Sequence, residues 1–305
     1  MKKITAHSNF LGLIVIVSAV LCLSPLTSAA LQGDLNGDNA VNGVDLGLFA
    51  DQWLNSCSSP SWCSGADINQ NGIVEGTDYS VQANNWLKST VPGPISLWRL
   101  DETSGTSAYD STGNGHNGTC SATDWSPAGG KYNGAALFDA TTDFISVPTT
   151  GMNYNAVSIS LWVNPTADTD NAWFFGHTSN PTDIATNRLQ IKTSPGTPGV
   201  NPLRIATPNS AHLISGLPLM TPNTWFHIVL TLSGTSGAGT AICYVNGAQA
   251  GTGAYSGFTA LAATAHIGND DMGAPTHGAK AYIDDVRIYK KALSLSEVQA
   301  IYSGN

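Results

Sequence analysis

The chain has 305 residues, a charged fraction of only 11% and a formal net charge of -9. Such an acidic balance excludes nucleic acid and anionic lipid as natural partners and suits a protein that gathers cations. Abundant Gly, Ser, Thr and Asn, with few Lys and Glu, predict an exported, mainly β protein with many turns.

Lys2 and Lys3 precede an apolar run from Phe10 to Leu26, and Thr27-Ser28-Ala29-Ala30 offers small residues for cleavage. Residues 1–30 therefore read as a secretory signal. The run is short for a spanning helix and no later stretch is apolar enough, so no membrane span is expected after cleavage. Past the signal stand Cys57, Cys63, Cys120 and Cys243. In an exported protein disulfides are permitted. Cys57 and Cys63 flank a short Ser/Pro-rich link and are expected to pair, whereas Cys120 and Cys243 fit a second bridge or two buried thiols equally. No Cys-x-x-Cys or His-x-x-x-His spacing occurs, which argues against zinc.

Residues 31–88 hold a duplicated loop rich in side-chain oxygens. Asp34, Asn36, Asp38 and Asp45 occupy positions one, three, five and twelve of the first copy, and Asp67, Asn69, Asn71 and Asp78 those of the second. Position seven, Ala40 and Ile73, would give a backbone carbonyl; position nine, Asn42 and Glu75, would act directly or through water. Each loop runs into an apolar, helix-like segment: Leu46, Leu48, Phe49, Trp53 and Leu54 after the first, Tyr79, Val81, Trp86 and Leu87 after the second. Two such units can bury one small core between their helices. A module this short is marginal without help, so bound ions are expected to stabilise it.

This loop-helix duplication resembles the type I dockerin family over the whole module. The resemblance implies two calcium ions, one per loop, and a cohesin-like or other protein partner. Two departures stand out. Gly43-Val44 and Gly76-Thr77 replace the Ser-Thr pair through which dockerins of cellulosomes usually read a cohesin, and Ala50-Asp51 and Ala83-Asn84 stand where a basic pair is usual.

Residues 89–94 form a short linker stiffened by two prolines. The remainder, 95–305, reads as one strand after another. Val157, Ile159, Leu161 and Val163 alternate on one face of a strand, as do Phe226, Ile228, Leu230 and Leu232. Ala241 to Gly247 ends in an Asn-Gly hairpin turn, and Tyr282 to Tyr289 is a late strand. Leu293 to Tyr302 is the one expected helix, entered through Ser294 or Ser296 with Glu297 behind. Many short strands separated by Gly, Asn and Pro predict a β-sandwich.

The order Leu97-Trp-Arg-Leu-Asp-Glu, Ala108-Tyr-Asp-Ser-Thr-Gly-Asn-Gly-His, Phe144-Ile-Ser-Val-Pro, Trp225-Phe-His-Ile-Val, Tyr244-Val-Asn-Gly and Ile283-Asp-Asp-Val-Arg-Ile-Tyr resembles the LamG-like, concanavalin A-like jelly rolls. That resemblance implies one structural calcium on the sandwich, and the matching positions are Asp110 and Asn114 with Asp284. The expected whole is thus a mainly β protein, with a C-terminal concanavalin A-like sandwich behind a small α-helical dockerin-like calcium module.

Glucanases of the same superfamily use a Glu-x-Asp-x-x-Glu strand, and only three glutamates exist here: Glu75, Glu102 and Glu297. No such strand can be written, nor a Gly-x-Ser-x-Gly elbow. A glycoside hydrolase would need an unusual carboxylate pair, for which Asp101 and Asp143 are available. A binding role needs only an aromatic and amide face, for which Trp173, Phe174, His177, Arg188 and Asn269 are the candidates. The expected function is a secreted, non-catalytic binder of a glycan or glycoprotein, docked through its calcium module and accessory to polysaccharide breakdown. A hydrolase and a purely structural adhesion module are the alternatives.

Overall fold

A computed structural model describes residues 31–36, 41–86, 91–152, 155–167, 171–178, 188–194, 202–207, 210–214, 216–235, 238–255, 262–270 and 277–304. The expected signal, Asp38, Ala40 and Leu87 lie outside them. Among the described residues no helix is long and apolar enough to cross a membrane.

Two helices occupy the N-terminal segment, α1 (Gly43–Asp51) and α2 (Gly76–Asn84). Both start because the last acidic residue of the preceding loop is also a helix cap. Asp45 Oδ2 accepts the Asn42 amide at 2.9 Å while Asn42 Oδ1 accepts the Val44 amide at 2.8 Å. Asp78 Oδ2 accepts the Glu75 amide at 3.0 Å in the same way. A short bridge at Ser56 and Ile73 ties the chain after α1 to the second loop, and the Cys57–Cys63 disulfide closes the link.

The core here extends beyond the expected one between helices, where Phe49 meets Tyr79. It consists of Phe49, Ala66 and Val74, with Leu35 and the two bridged cysteines packed against it. Leu46, Leu48, Trp53, Leu54, Tyr79 and Trp86 stay exposed. The inter-loop segment shares Phe49 with the opposite helix, whose Tyr79 ring lies 6.2 Å from it, and most of the apolar helix stripe is left facing outward.

The rest is a sandwich of strands β1 (Ser96–Trp98), β2 (Ser107–Ala108), β3 (Gly118–Ser121), β4 (Asp124–Ser126), β5 (Ala135–Phe138), β6 (Phe144–Pro148), β7 (Ala156–Pro165), β8 (Trp173–Thr178), β9 (Arg188–Thr193), β10 (Leu203–Thr207), β11 (Ser210–Ile214), β12 (Phe226–Thr235), β13 (Ala238–Val245), β14 (Ala248–Tyr255), β15 (Thr264–Ile267) and β16 (Ala281–Tyr289), ending in helix α3 (Leu295–Tyr302). One sheet runs β14-β13-β12-β7-β16-β5-β4 with β1 on β16, and the other runs β11-β10-β9-β8-β15-β6-β3-β2. All pairings are antiparallel, as a jelly roll requires.

The two alternating stretches of sequence are neighbours in register. Phe226 faces Val163, Ile228 faces Leu161, Leu230 faces Ile159 and Leu232 faces Val157. These pairs point into the core between the sheets together with Phe138, Ile145, Phe174, Phe175, Leu189, Ile191, Leu203 and Ile205. Each fully buried side chain of this size contributes about 1.5–3 kcal/mol. The Asn246-Gly247 turn has both residues at positive φ, 51° and 77°, the geometry of a two-residue hairpin.

The helix α3 begins at Ser294, whose hydroxyl and the Glu297 carboxylate form a capping box. It covers the outer face of the first sheet, where Val229, Tyr244 and Tyr289 meet Leu293, Val298 and Ile301. The outer face of the second sheet carries a different set of side chains, taken up below. Cys120 and Cys243 are buried free thiols.

Candidate functional sites

The two N-terminal loops repeat the same hydrogen bonds. Asp45 Oδ1 accepts the Asn36 amide at 3.2 Å, and Asp78 Oδ1 accepts the equivalent Asn69 amide at 3.0 Å. Asp67 takes the Asn71 and Gly72 amides, and Asn71 Oδ1 takes that of Ile73. The Asn71 side-chain amide also donates to the Glu75 carboxylate at 3.1 Å. Asp45, Asp67 and Asp78 are almost wholly buried. Between Leu31 and Trp86 stand seven acidic residues and no Lys, Arg or His. Buried carboxylates with no countercharge need a cation, and a mix of carboxylate and amide oxygens suits calcium. The donor set fits the ion in the second loop. In the first, Asp34, Asn36, Asn42 and Asp45 are described while Asp38 and Ala40 are not.

Beside the loops the helices leave an apolar surface. One hollow of about 420 Å³ is lined by Leu46, Phe49, Ala50, Trp53 and Tyr79. A second, of about 270 Å³, is lined by Leu46, Tyr79, Gln82, Ala83 and Trp86. Apolar hollows next to one another on a small unit are the usual mark of a protein-binding face.

On the sandwich, the expected trio of Asp110, Asn114 and Asp284 divides. The Asp110 carboxylate is taken up by its own turn: it accepts the amides of Leu97, Thr112 and His116 and the Thr112 hydroxyl. Burial works to raise its pKa, yet these bonds together hold it below the usual value. Asn114 donates to the Ile95 carbonyl at 3.0 Å. Both residues latch a turn onto β1.

Asp284 belongs to another constellation. Its Oδ2 accepts the Tyr132 amide at 2.8 Å, and Asp101 Oδ1 accepts the Gly134 amide at 2.7 Å from the same loop. Asp284 is fully buried and its Oδ1 has no hydrogen-bond partner. Burial first, then the charges of Asp285 and Asp101, push its pKa up to about 7. An orphaned buried carboxylate oxygen, with the Asp101 carboxylate bonded to the same loop, fits a hard cation. Asp101 is the residue that sequence reasoning placed elsewhere. It was available only as half of a catalytic pair with Asp143, but Asp143 caps a separate turn through the Asp139 and Ala140 amides. Among the described residues no three His, Cys, Asp or Glu side chains converge as a metal cluster.

The five expected glycan contacts also separate. Phe174 packs in the core between the sheets. His177 is buried, binds the Ala262 carbonyl through Nε2 at 2.8 Å, and is held neutral by burial with its pKa lowered to about 4. Asn269 is a staple: its amide donates to the Thr141 and Asp143 carbonyls and its Oδ1 accepts the Asp270 and His277 amides. None of these three presents a group to a ligand. Trp173 and Arg188 lie on the outer side of the second sheet, since Leu189, Ile191 and Phe175 take the inner side. Trp173 stacks on His277, and His277 is bonded to Asp270. The same side carries Gln190, Lys192 and Arg204, which sequence reasoning missed. The alternation of Arg188-Leu-Gln-Ile-Lys192 was the available signal.

Residues 139–299 match the family model of the concanavalin A-like lectin/glucanases superfamily. Residues 32–96 match that of the dockerin type I domain. Among solved structures the chain is similar to domain 4 of AbnA, a GH43 extracellular arabinanase from Geobacillus stearothermophilus, in complex with arabinotriose. The identity is 23% and the TM-score 0.52, over 69% of this chain and 98% of that one. It is also similar to Trypanosoma rangeli sialidase in complex with sialic acid, at 15% identity and a TM-score of 0.53, over 71% of this chain but only 34% of that one. These two likenesses show the fold. No curated protein matches the chain.

Proposed function

Because the chain belongs to the concanavalin A-like lectin/glucanases superfamily and carries a dockerin type I domain, we propose that it is an exported, non-catalytic accessory protein of extracellular polysaccharide breakdown. Residues 31–88 dock it to a cohesin-like partner, 89–94 link, and 95–305 hold a glycan. The observation that carries the reading is a pairing: exposed apolar helices beside the oxygen-rich loops, followed by a sandwich of the lectin/glucanase superfamily. Domain 4 of the arabinanase, a protein of the same fold, holds arabinotriose. Binding is favoured over hydrolysis because Asp101 and Asp143 are committed to different turns.

Calcium supplies the positive charge that the loops lack. Asp34, Asn36, Asp38, Ala40, Asn42 and Asp45 would hold one ion, and Asp67, Asn69, Asn71, Ile73, Glu75 and Asp78 the second. Asp101 and Asp284 would hold a third on the sandwich. The chain's own residues do the rest: the caps at Asp45 and Asp78 start the helices, and the helices present Leu46, Trp53, Tyr79 and Trp86 to a partner.

The test is calorimetric titration of the full chain with arabinan, xylan, galactan and polygalacturonate, together with assays for released reducing sugar. Saturable binding without sugar release supports the reading. Folded protein that binds no polysaccharide overturns it, and sugar release abolished by Asp101→Asn would make it a hydrolase.

A further inference from the structure

Trp62, Cys63, Ser64 and Gly65 follow one another at positive φ, with values of 45°, 53°, 57° and 88°. Among the described residues no other run of positive φ is longer than two. Glycine adopts this left-handed region freely, whereas any other residue is disfavoured there by a factor of about 5–30. Three non-glycine residues in succession keep this shape only because their surroundings over-determine it. Backbone bonds do part of this: Gly65 donates to the Ser61 and Trp62 carbonyls, and Ala66 to that of Cys63. The Cys57–Cys63 disulfide closes the same segment covalently.

The two ends of this bridge are also the two places where the segment grips the second loop. At the start of the loop, the Asp67 amide donates to the Trp62 carbonyl at 3.1 Å, beside Cys63. At its apex, the Cys57 amide donates to the Gly72 carbonyl at 2.8 Å. Asp67 and Gly72 are themselves joined, since Asp67 Oδ2 accepts the Gly72 amide at 2.9 Å. A closed circuit therefore runs from Cys57 through Cys63, Trp62, Asp67 and Gly72 back to Cys57, with the disulfide as its covalent cross-link. The first loop contains no cysteine and meets the segment through Leu35, which packs against the same small core. The bridge is within reach of solvent: both cysteines are half-buried, and Cys63 lines a hollow of about 130 Å³ with Leu48, Gln52 and Ser64.

We propose that the Cys57–Cys63 disulfide is a redox control on calcium binding at the second loop. The inference rests on the reading of Asp67 to Asp78 as a calcium site and names how that site is regulated. A dithiol reductant attacks the bridge, forms a mixed disulfide with one cysteine and releases the other as a thiol. Its second thiol then displaces the remaining cysteine. Two electrons and two protons pass to the protein, and the reductant leaves as its own disulfide. The freed turn relaxes out of its left-handed shape, and Trp62 and Cys57 no longer hold Asp67 and Gly72 in place. Binding must then also re-form the turn, so affinity falls. Reciprocity requires the converse: the bridge is harder to reduce when the loop is filled.

The experiment titrates the full chain with calcium, oxidised and after reduction by dithiothreitol, while backbone amide signals follow each loop separately. Asn69 and Gly72 report the second loop, Leu35 and Asn36 the first. Reduction should weaken the second loop roughly tenfold or more, and the first by less than about threefold. Thiol labelling should show the equilibrium constant for reduction falling by the same factor in saturating calcium. Ser64→Gly relieves one strained residue without touching a ligand, and should narrow the oxidised-to-reduced difference about fivefold. Equal second-loop affinity in the two states, no protection of the bridge by calcium, or an undiminished difference in Ser64→Gly would overturn the control and leave the calcium reading standing. A reduced unit that stays unfolded in saturating calcium would also overturn it, making the bridge a fold staple only. A folded, oxidised chain that takes up no calcium at the second loop would overturn both.

Discussion

Asp284 and Tyr132 meet through a 2.8 Å hydrogen bond across 152 residues of sequence, and the other Asp284 oxygen has no hydrogen-bond partner. That oxygen makes the ion-free sandwich hold a carboxyl whose pKa burial pushes up to about 7. Calcium should therefore raise sandwich stability by about 3–4 kcal/mol when present at 100 to 1,000 times its dissociation constant. Asp284→Asn should abolish that gain, while in chelator the variant should be as stable as the parent or more so. Calorimetry with calcium and with chelator checks both. A calcium response that survives Asp284→Asn would remove the ion from this site.

Chelation acts on the N-terminal loops by another route. Without calcium, the buried carboxylates of Asp45, Asp67 and Asp78 have only backbone amides for partners. Residues 31–86 should lose their helices first, with a drop in far-ultraviolet ellipticity while the sandwich keeps its cooperative transition. Asp78→Ala removes one ligand and the α2 cap together, and should cost about 1–2 kcal/mol beyond the lost ion. An unchanged spectrum on chelation would contradict this.

Acid should destabilise the sandwich through two histidines. His227 is buried against Trp162 and Tyr302, with Nε2 on Ser160 Oγ at 2.9 Å. Burial first, then Arg287 and Lys131, lower its pKa from 6.5 to about 3, and burial lowers that of His177 to about 4. The unfolded chain takes up protons that the folded one refuses, so stability falls as pH drops from 6.5. Each histidine contributes about 1.4 kcal/mol per pH unit until its folded pKa is reached. Ion-free Asp284 opposes this trend, so urea unfolding is to be followed in saturating calcium. His227→Gln should roughly halve the slope between pH 6 and 4.5; an unaltered slope would contradict it.

Two glycines separate strain from collision. Gly268 has φ of 84°, and a Cβ there would come within 2.1 Å of the Phe138 ring. Gly113 has φ of 82° with nothing within 4 Å of such a Cβ. Gly113→Ala should cost about 1–2 kcal/mol, the strain alone, and Gly268→Ala more than about 3 kcal/mol. Equal costs in urea titrations would show that Phe138 yields freely.

The oxygen-rich loops were legible because their polar residues are contiguous: spacing alone places Asp67, Asn69, Asn71 and Asp78 in one loop. The strands were legible where one face is buried, as in Val157–Val163 and Phe226–Leu232, since their alternation mirrors the pleat. What pairs with what was not. Asp284 meets Asp101 through the loop containing Tyr132 and Gly134, a meeting set by tertiary register, whereas the Asp110 turn looked equally oxygen-rich in sequence. The helix stripe misled for a related reason. Leu46, Trp53 and Tyr79 have core-like spacing, but the segment around Ala66 takes one side of Phe49, and Trp53 and Tyr79 touch its ring while staying half-exposed.

The stretch from Leu31 to Trp86 that lacks every Lys, Arg and His has one more consequence. Seven acidic groups in so small a unit repel one another until divalent cations neutralise them. On the docking reading, a calcium-poor medium should loosen this unit and its exposed apolar helices, and added calcium should restore them. Partner capture should then depend on the calcium content of the medium, which a pull-down with and without chelator checks.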